Sequence, residues 1–130
     1  MDVVKPMARH ARWTNGTSIG IEICNPIFLT DAFGVADREI IQAPKPHTAD
    51  PSWRHFDFTA RQKEMVSLLV PTLCDILQIP RQLPRDEFGE VPRTLIPDPT
   101  SYRGVLGHYH LQTDKEDPGY TLWPLLSKVL

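Results

Sequence analysis

Cysteine, runs of basic residues and long apolar stretches are all scarce in this chain, and each scarcity excludes a class of protein. Two cysteines among 130 residues are too few for the disulfide framework of a small secreted domain. A formal net charge of −2 without a basic run argues against a surface that binds nucleic acid. No segment approaches the roughly 18 consecutive apolar residues that a membrane helix needs. The sequence therefore predicts no membrane span.

The beginning of the chain bears on its localisation. The residues that follow Met1 include no apolar core of a signal peptide, so the chain as it stands predicts a cytoplasmic protein. A true start further upstream would instead allow the cell envelope or secretion. Apolar residues make up 41% of the chain and charged residues 23%, which is the composition of an ordinary folded globule. At this length we expect one domain over residues 1–130.

Proline is the abundant residue, with 13 among 130, about twice the usual ~5%. It interrupts residues 25–57 and 80–99, which we therefore predict to be largely irregular. A short strand over residues 38–42 is the one regular element that the first of these segments suggests. A loop as long as residues 25–57 is uncommon and often functional, although a decorative surface insertion has the same pattern.

Four other segments have the patterns of regular secondary structure. Residues 18–24 alternate isoleucine with small or polar residues, which is the period of a β-strand. Residues 102–111 predict a second strand, and residues 59–78 and 122–130 predict helices. The order strand, helix, strand, helix favours an α/β fold.

The predicted helix over residues 59–78 has clear start and core signals. Thr59 and Gln62 are spaced as in a capping box, which satisfies free N–H groups of the first turn. Apolar residues follow at helical spacing and predict the buried face: Met65, Leu69, Leu73 and Ile76, with Val66 and Leu77 widening it. Cys74 lies beside this stripe, which favours a small core residue over a reactive thiol. Pro71 is expected to kink the helix.

The residues most able to carry chemistry lie between Gly107 and Gly119. His108 and His110 come at the end of the predicted strand, and Asp117 follows in an Asp-Pro-Gly turn that restricts its backbone. Imidazole nitrogen and carboxylate oxygen are both common zinc ligands. The spacing alone is weak, because a surface histidine and a capping aspartate would have the same pattern.

The rest of the chain adds to this pattern. Residues 15–23 read Asn-Gly-Thr-Ser-Ile-Gly-Ile-Glu-Ile, residues 58–62 Phe-Thr-Ala-Arg-Gln, and residues 8–11 Ala-Arg-His-Ala. Together with residues 107–119, these motifs resemble the zinc-dependent N-acetylmuramoyl-L-alanine amidases, which are related to phage lysozyme-type amidases and peptidoglycan-recognition proteins. Arg9 departs from the family's usual tryptophan. The resemblance implies an α/β fold in which helices flank a mixed central sheet, with zinc at one end of that sheet.

The resemblance also implies roles for individual residues. His108 and Asp117 match the second and third zinc ligands, Glu22 matches the catalytic glutamate, and Lys115 matches the lysine that faces the substrate oxyanion. Zinc held by three protein ligands keeps a fourth position for water and lowers the pKa of that water. The implied reaction is hydrolysis of the amide between N-acetylmuramic acid and L-alanine in peptidoglycan or a muropeptide. Residues expected to contact this substrate are His10, Asn15 and His110.

One expected part of the family pattern is missing. The first zinc ligand of the family is a histidine on a strand upstream of the residue 8–11 motif, so we expect an N-terminally truncated fold. His10 or His110 is the candidate for a substitute ligand. Glu22 and Lys115 also have plainer interpretations, as a solvent-facing strand residue and an ordinary loop lysine. His47 and His55, in the long loop, are expected to be solvated.

Three function classes stay open at this point. The first is the amidase, and the second is a module of the same fold that binds peptidoglycan without cleaving it. The third is an unrelated metal-binding or structural domain that uses His108 and His110 together. The sequence does not indicate the oligomeric state.

Overall fold

Two helices and one short antiparallel sheet form the main regular structure of residues 9–26, 38–48 and 50–130, the part of the chain that the computed structural model describes. The strands are β1 (Ile40–Gln42) and β2 (Arg54–Phe56), which pair with Ile41 opposite His55. The helices are α1 (Ala60–Ile76) and α2 (Trp123–Val129). Two 3-10 turns complete the set, at Arg12–Thr14 and His108–His110. No described helix is long and apolar enough to cross a membrane.

Both predicted helices are confirmed. The Thr59 hydroxyl accepts a bond from the Gln62 backbone N–H at 3.1 Å, and the Gln62 side chain accepts one from the Thr59 N–H at 3.0 Å. This reciprocal pair is the capping box that starts α1. Pro71 lies inside α1, which runs on to Ile76. In α2, Pro124 falls in the first turn, where its missing N–H has no intrahelical partner to lose.

The buried face of α1 differs from the predicted one. Val66, Val70 and Cys74 are buried, whereas Met65 is 45% exposed and Ile76 is 69% exposed. The burial of Val66 is confirmed, but the centre of the predicted stripe is wrong by about one position, because α1 has apolar residues on more than one side and spacing alone does not choose between them. The core role of Cys74 is confirmed, and burial raises the pKa of its thiol.

Neither of the two longer predicted strands forms. Residues 18–24 make no strand pairing with any described residue, and a strand needs a neighbour to bond its backbone. Individual side chains hold the segment instead: the Ser18 hydroxyl donates to the Thr14 carbonyl at 2.7 Å, and the Gln62 amide donates to the Cys24 carbonyl at 2.6 Å. Residues 102–111 contain the second 3-10 turn and no strand. The short strand expected within residues 38–42 is confirmed as β1.

The core packs α1 and α2 against the irregular segments between them. Its members are Phe58, Val66, Val70, Cys74, Leu83, Val91, Tyr109, Leu122, Trp123 and Leu126. Tyr109 and Trp123 meet edge to face, with ring centroids 6.0 Å apart. Such a pair contributes about 0.5–1.5 kcal/mol beyond its burial. This contact places the His108–His110 turn on top of the core.

Candidate functional site

His108 and Asp117, nine residues apart in the chain, are in direct contact. His108 Nδ1 lies 3.1 Å from Asp117 Oδ2. A carboxylate oxygen only accepts hydrogen bonds, so Nδ1 carries a proton and donates it when the ring is neutral. The Gly119 N–H donates to the Glu116 carbonyl at 2.9 Å, which closes the turn that presents Asp117. The structure therefore brings together the two side chains predicted to bind zinc.

Gly107 allows the turn that carries His108 to pack closely against Trp123 and Pro118. A Cβ atom at position 107 would lie 2.8 Å from the Trp123 ring and 2.9 Å from Pro118. Contacts that short force a neighbour to move, so only glycine fits. The glycine lets the 3-10 turn pack tightly against both Trp123 and the residue that follows Asp117.

His110 lies in the core and does not line an open site, which corrects the expectation of a substrate-contacting residue. Its side chain has no exposed surface. Nε2 is 2.9 Å from the Pro92 carbonyl, and Nδ1 accepts the Gly107 N–H at 2.9 Å. The ring is thus the Nε2–H tautomer, and both nitrogens already have partners. Burial lowers the pKa of His110 from 6.5 to about 4.

His10 and Asn15 both have structural contacts within their own loop. The Asn15 side-chain oxygen accepts the N–H groups of His10 and Ala11 at 2.8 and 2.7 Å. His10 Nε2 is 2.9 Å from the Ser18 hydroxyl, and its ring packs so closely on Gly20 that a Cβ there would be 2.8 Å away. These bonds shape residues 10–20; the predicted substrate contacts of both residues stay predictions. Residue 8, in the same motif, lies outside the described residues.

Glu22 is exposed and Lys115 is half-buried. Neither side chain makes a hydrogen bond or ion pair with another described residue. The segment that carries Glu22 connects to the Asp117 turn through β2. The Asn25 amide donates to the Phe56 carbonyl at 2.8 Å, and the neighbouring His55 ring lies against Gly119. The roles of Glu22 and Lys115 stay predictions.

The expectation that His47 and His55 are solvated is wrong. His55 is buried, packs against the tilted ring of Trp53 with centroids 4.3 Å apart, and has an Nε2 atom without a hydrogen-bond partner in the described structure. His47 is half-buried, and its Nε2 lies 3.1 Å from the Gln112 carbonyl. The long loop over residues 25–57 falls partly outside the described residues, at 27–37 and 49.

Gln112 is the contact that sequence reasoning missed. Its side-chain Nε2 is 2.6 Å from His108 Nε2, on the side of the ring away from Asp117. Only the four-residue spacing from His108 hints at this contact, and that spacing matters in a helical turn but not in the predicted strand. Both nitrogens of His108 therefore have protein partners.

The described structure also contains an open groove. It has a volume of about 350 Å³ and is lined by Pro44, Asp86, Glu90, Val91, Arg93 and Tyr120. None of the predicted site residues lines it. Tyr120 links the groove to the site in sequence, since it follows Asp117 by three residues.

The donor atoms allow a test of the predicted metal site. Imidazole nitrogen and carboxylate oxygen suit zinc, and His108 and Asp117 supply one of each at adjacent positions. Within residues 9–26, 38–48 and 50–130, however, no group of three His, Cys, Asp or Glu side chains is placed to hold an ion. Within the described residues, the predicted metal site thus consists of two potential ligands, His108 and Asp117.

The family of the chain follows from comparison with protein-family models. The model described as N-acetylmuramoyl-L-alanine amidase matches residues 2–120. The chain belongs to this amidase family. No curated protein and no solved structure matches the chain. The amidase match spans every candidate residue from His10 to Asp117, and it assigns the chain to the peptidoglycan amidase type of hydrolase at the level of the family.

Proposed function

We propose that this chain is a zinc-dependent amidase that cleaves the bond between the lactyl group of N-acetylmuramic acid and L-alanine. The observation that carries the proposal is the 3.1 Å contact between His108 and Asp117 in a chain of the amidase family. The family's architecture, a mixed central sheet flanked by helices, is part of the proposal. The expected substrate is peptidoglycan or a muropeptide.

His108 and Asp117 would hold the zinc ion, with a further ligand to complete the site. Their side chains are half-buried and exposed respectively, so an ion has access to both. When bound, zinc supplies Lewis acidity, which polarises the amide carbonyl and acidifies water. Asp117 is presented by a closed turn and His108 by a turn packed on the core, so both donors come from supported backbone.

Glu22 and Lys115 would assist the hydrolysis, Glu22 by transferring a proton and Lys115 by stabilising negative charge. Hydrolysis adds the hydroxyl of water to the carbonyl carbon and a proton to the alanine nitrogen as the C–N bond breaks. Glu22 would accept the proton from the attacking water and return it to the leaving amine. Lys115 would lie opposite the negative charge that develops on the carbonyl oxygen. The exposed position of Glu22 is compatible with access to a bulky substrate.

A non-catalytic module that binds peptidoglycan is the second candidate. The observation that favours it is the hydrogen bonding of His108, whose two ring nitrogens already contact Asp117 and Gln112. A histidine with both nitrogens satisfied by protein groups is stable without an ion.

The test measures zinc content and muropeptide cleavage in the same preparations. We expect near-stoichiometric zinc in the wild type and release of a free peptide that begins with L-alanine, detected by mass spectrometry. Glu22→Ala should keep the zinc and lose turnover by a factor of about 10²–10⁴, because it removes only the proton acceptor. Glu87→Ala is the matched control, since Glu87 is also exposed and is not a predicted site residue.

The outcomes separate the two candidates. Zinc without cleavage in the wild type favours the binding module. Turnover retained by Glu22→Ala removes the proton-acceptor role from Glu22. A wild type that neither binds zinc nor cleaves contradicts the proposed function.

A further inference from the structure

A set of hydrogen bonds connects the candidate site to Gln112 and His47. His108 Nδ1 is 3.1 Å from Asp117, and its Nε2 is 2.6 Å from the side-chain nitrogen of Gln112. The backbone carbonyl of Gln112 is 3.1 Å from His47 Nε2, and the backbone N–H of Gln112 donates to the His108 carbonyl at 3.2 Å. Gln112 is only 7% exposed, so solvent does not readily replace these bonds.

The direction of each bond follows from which groups can donate. Asp117 only accepts, so a neutral His108 carries its proton on Nδ1 and leaves Nε2 as an acceptor. The Gln112 amide nitrogen donates to that acceptor. The backbone carbonyl of Gln112 also only accepts, so His47 carries its proton on Nε2. In each of these contacts a donor faces an acceptor: the Gln112 side chain bonds to His108, and the Gln112 backbone bonds to His47.

We propose that the side chain of Gln112 positions His108, and that His47 supports the backbone of Gln112 from which this side chain extends. This inference rests on the proposed function in one respect, namely that His108 and Asp117 bind zinc. The Gln112 bond fixes the rotation of the imidazole so that Nδ1 points at Asp117. Gln112 bonds to Nε2 of His108, whereas Nδ1 is the nitrogen that would bind the metal.

The chemistry of an amide explains why glutamine suits this position. If Nδ1 gives its lone pair to a metal, the proton of the neutral ring lies on Nε2, which then needs an acceptor. A half-rotation of the Gln112 amide replaces its nitrogen with its oxygen at the same place. One side chain can therefore support either tautomer of His108, which a purely donating or purely apolar residue cannot do. Partners on the far nitrogen of a metal-binding histidine typically change metal affinity 10–100-fold.

His47 supports this arrangement from the other side. Its backbone has φ of 61°, and its N–H donates to the Arg93 carbonyl at 2.9 Å. The positive φ is tolerated by asparagine as well as by histidine. His47→Asn therefore keeps the backbone but shortens the side chain that reaches Gln112.

The experiment uses the full chain, with zinc affinity measured by competition with a chelating dye. Gln112→Leu should weaken zinc binding about 10–100-fold, because it removes the partner of Nε2. Gln112→Glu keeps an acceptor in nearly the same shape and should retain affinity within a few-fold. Gln78→Leu is the control, because Gln78 is an exposed glutamine distant in sequence. His47→Asn should have a smaller effect than Gln112→Leu.

A second readout does not need zinc. NMR of the metal-free chain with ¹⁵N-labelled histidine, at mildly alkaline pH, should show protonated Nδ1 and unprotonated Nε2 in His108. Gln112→Leu should shift the Nε2 resonance, whereas a loss of general stability alone would lower the Tm without a selective shift. If Gln112→Leu does not fold, the shift of Nε2 in Gln112→Glu carries the test.

The outcomes separate this inference from the proposed function. Unchanged zinc affinity and an unchanged Nε2 resonance in folded Gln112 variants would overturn the positioning role. A wild type that binds no zinc but whose Nε2 resonance depends on Gln112 contradicts zinc binding and supports the positioning of His108.

Discussion

His108 and His110 occupy the same 3-10 turn, yet the two faces of this turn differ in almost every property. His110 points into the core, where both of its nitrogens bond to backbone groups. His108 points to the surface, where its partners are the side chains of Asp117 and Gln112. A 3-10 turn has three residues per turn, so residues two apart point about 120° away from each other. Two histidines in one turn can therefore serve stability and function separately.

The comparison predicts that the inward face governs stability. His110→Ala should lower the free energy of unfolding by about 3 kcal/mol or more, because it leaves a cavity and two unpaired backbone groups. Urea unfolding followed by circular dichroism measures this change. If His110→Ala costs less than His108→Ala, the assignment of the inward face to stability is wrong.

The inward face should also make stability depend on pH. The folded pKa of His110 is about 4 because burial disfavours the charged ring, whereas an exposed histidine titrates near 6.5. The unfolded chain thus binds more protons between these values, so stability is greatest above pH ~6.5 and falls toward pH ~4, by up to about 3 kcal/mol. A positive charge on His47 also lowers the pKa of His110 and adds to this effect.

Urea unfolding at several pH values gives the slope. His110→Gln should flatten the curve over this range, because it removes the group that gains a proton on unfolding. A slope that persists unchanged in His110→Gln would assign the pH dependence to other groups.

The outward face should contribute least to stability. The Asp117 side chain is 63% exposed, and exposed ion pairs contribute about 0–1 kcal/mol. Asp117→Asn should therefore change the free energy of unfolding by less than about 1 kcal/mol, while abolishing the proposed zinc binding. Asp114→Asn in the same loop is the control for both measurements. A large stability loss in Asp117→Asn would show that the outward face is also structural.

Local sequence patterns are sufficient to predict where both helices lie. The capping box of Thr59 and Gln62 depends only on residues three apart, so α1 was predicted close to its observed bounds. The sequence also indicates that His108 and Asp117 belong to one site, because the family resemblance assigns both residues to the same metal ion and the Asp-Pro-Gly turn restricts the backbone of Asp117. The side of α1 that is buried was not predictable, since that depends on what packs against it.

The strands and the environment of each histidine were decided by partners distant in sequence. Residues 18–24 have the alternation of a strand, but alternation describes two faces and does not supply a neighbour to bond the backbone. The sequence predicts that His110 contacts the substrate from the end of a strand and that His47 is a solvated loop residue, because neither Pro92 nor Gln112 is a neighbour that a local pattern can identify. Residue order thus specified the helix starts, the turn chemistry and the family. Packing on the Tyr109–Trp123 core decided which histidine faces solvent, because burial depends on contacts that no local pattern encodes.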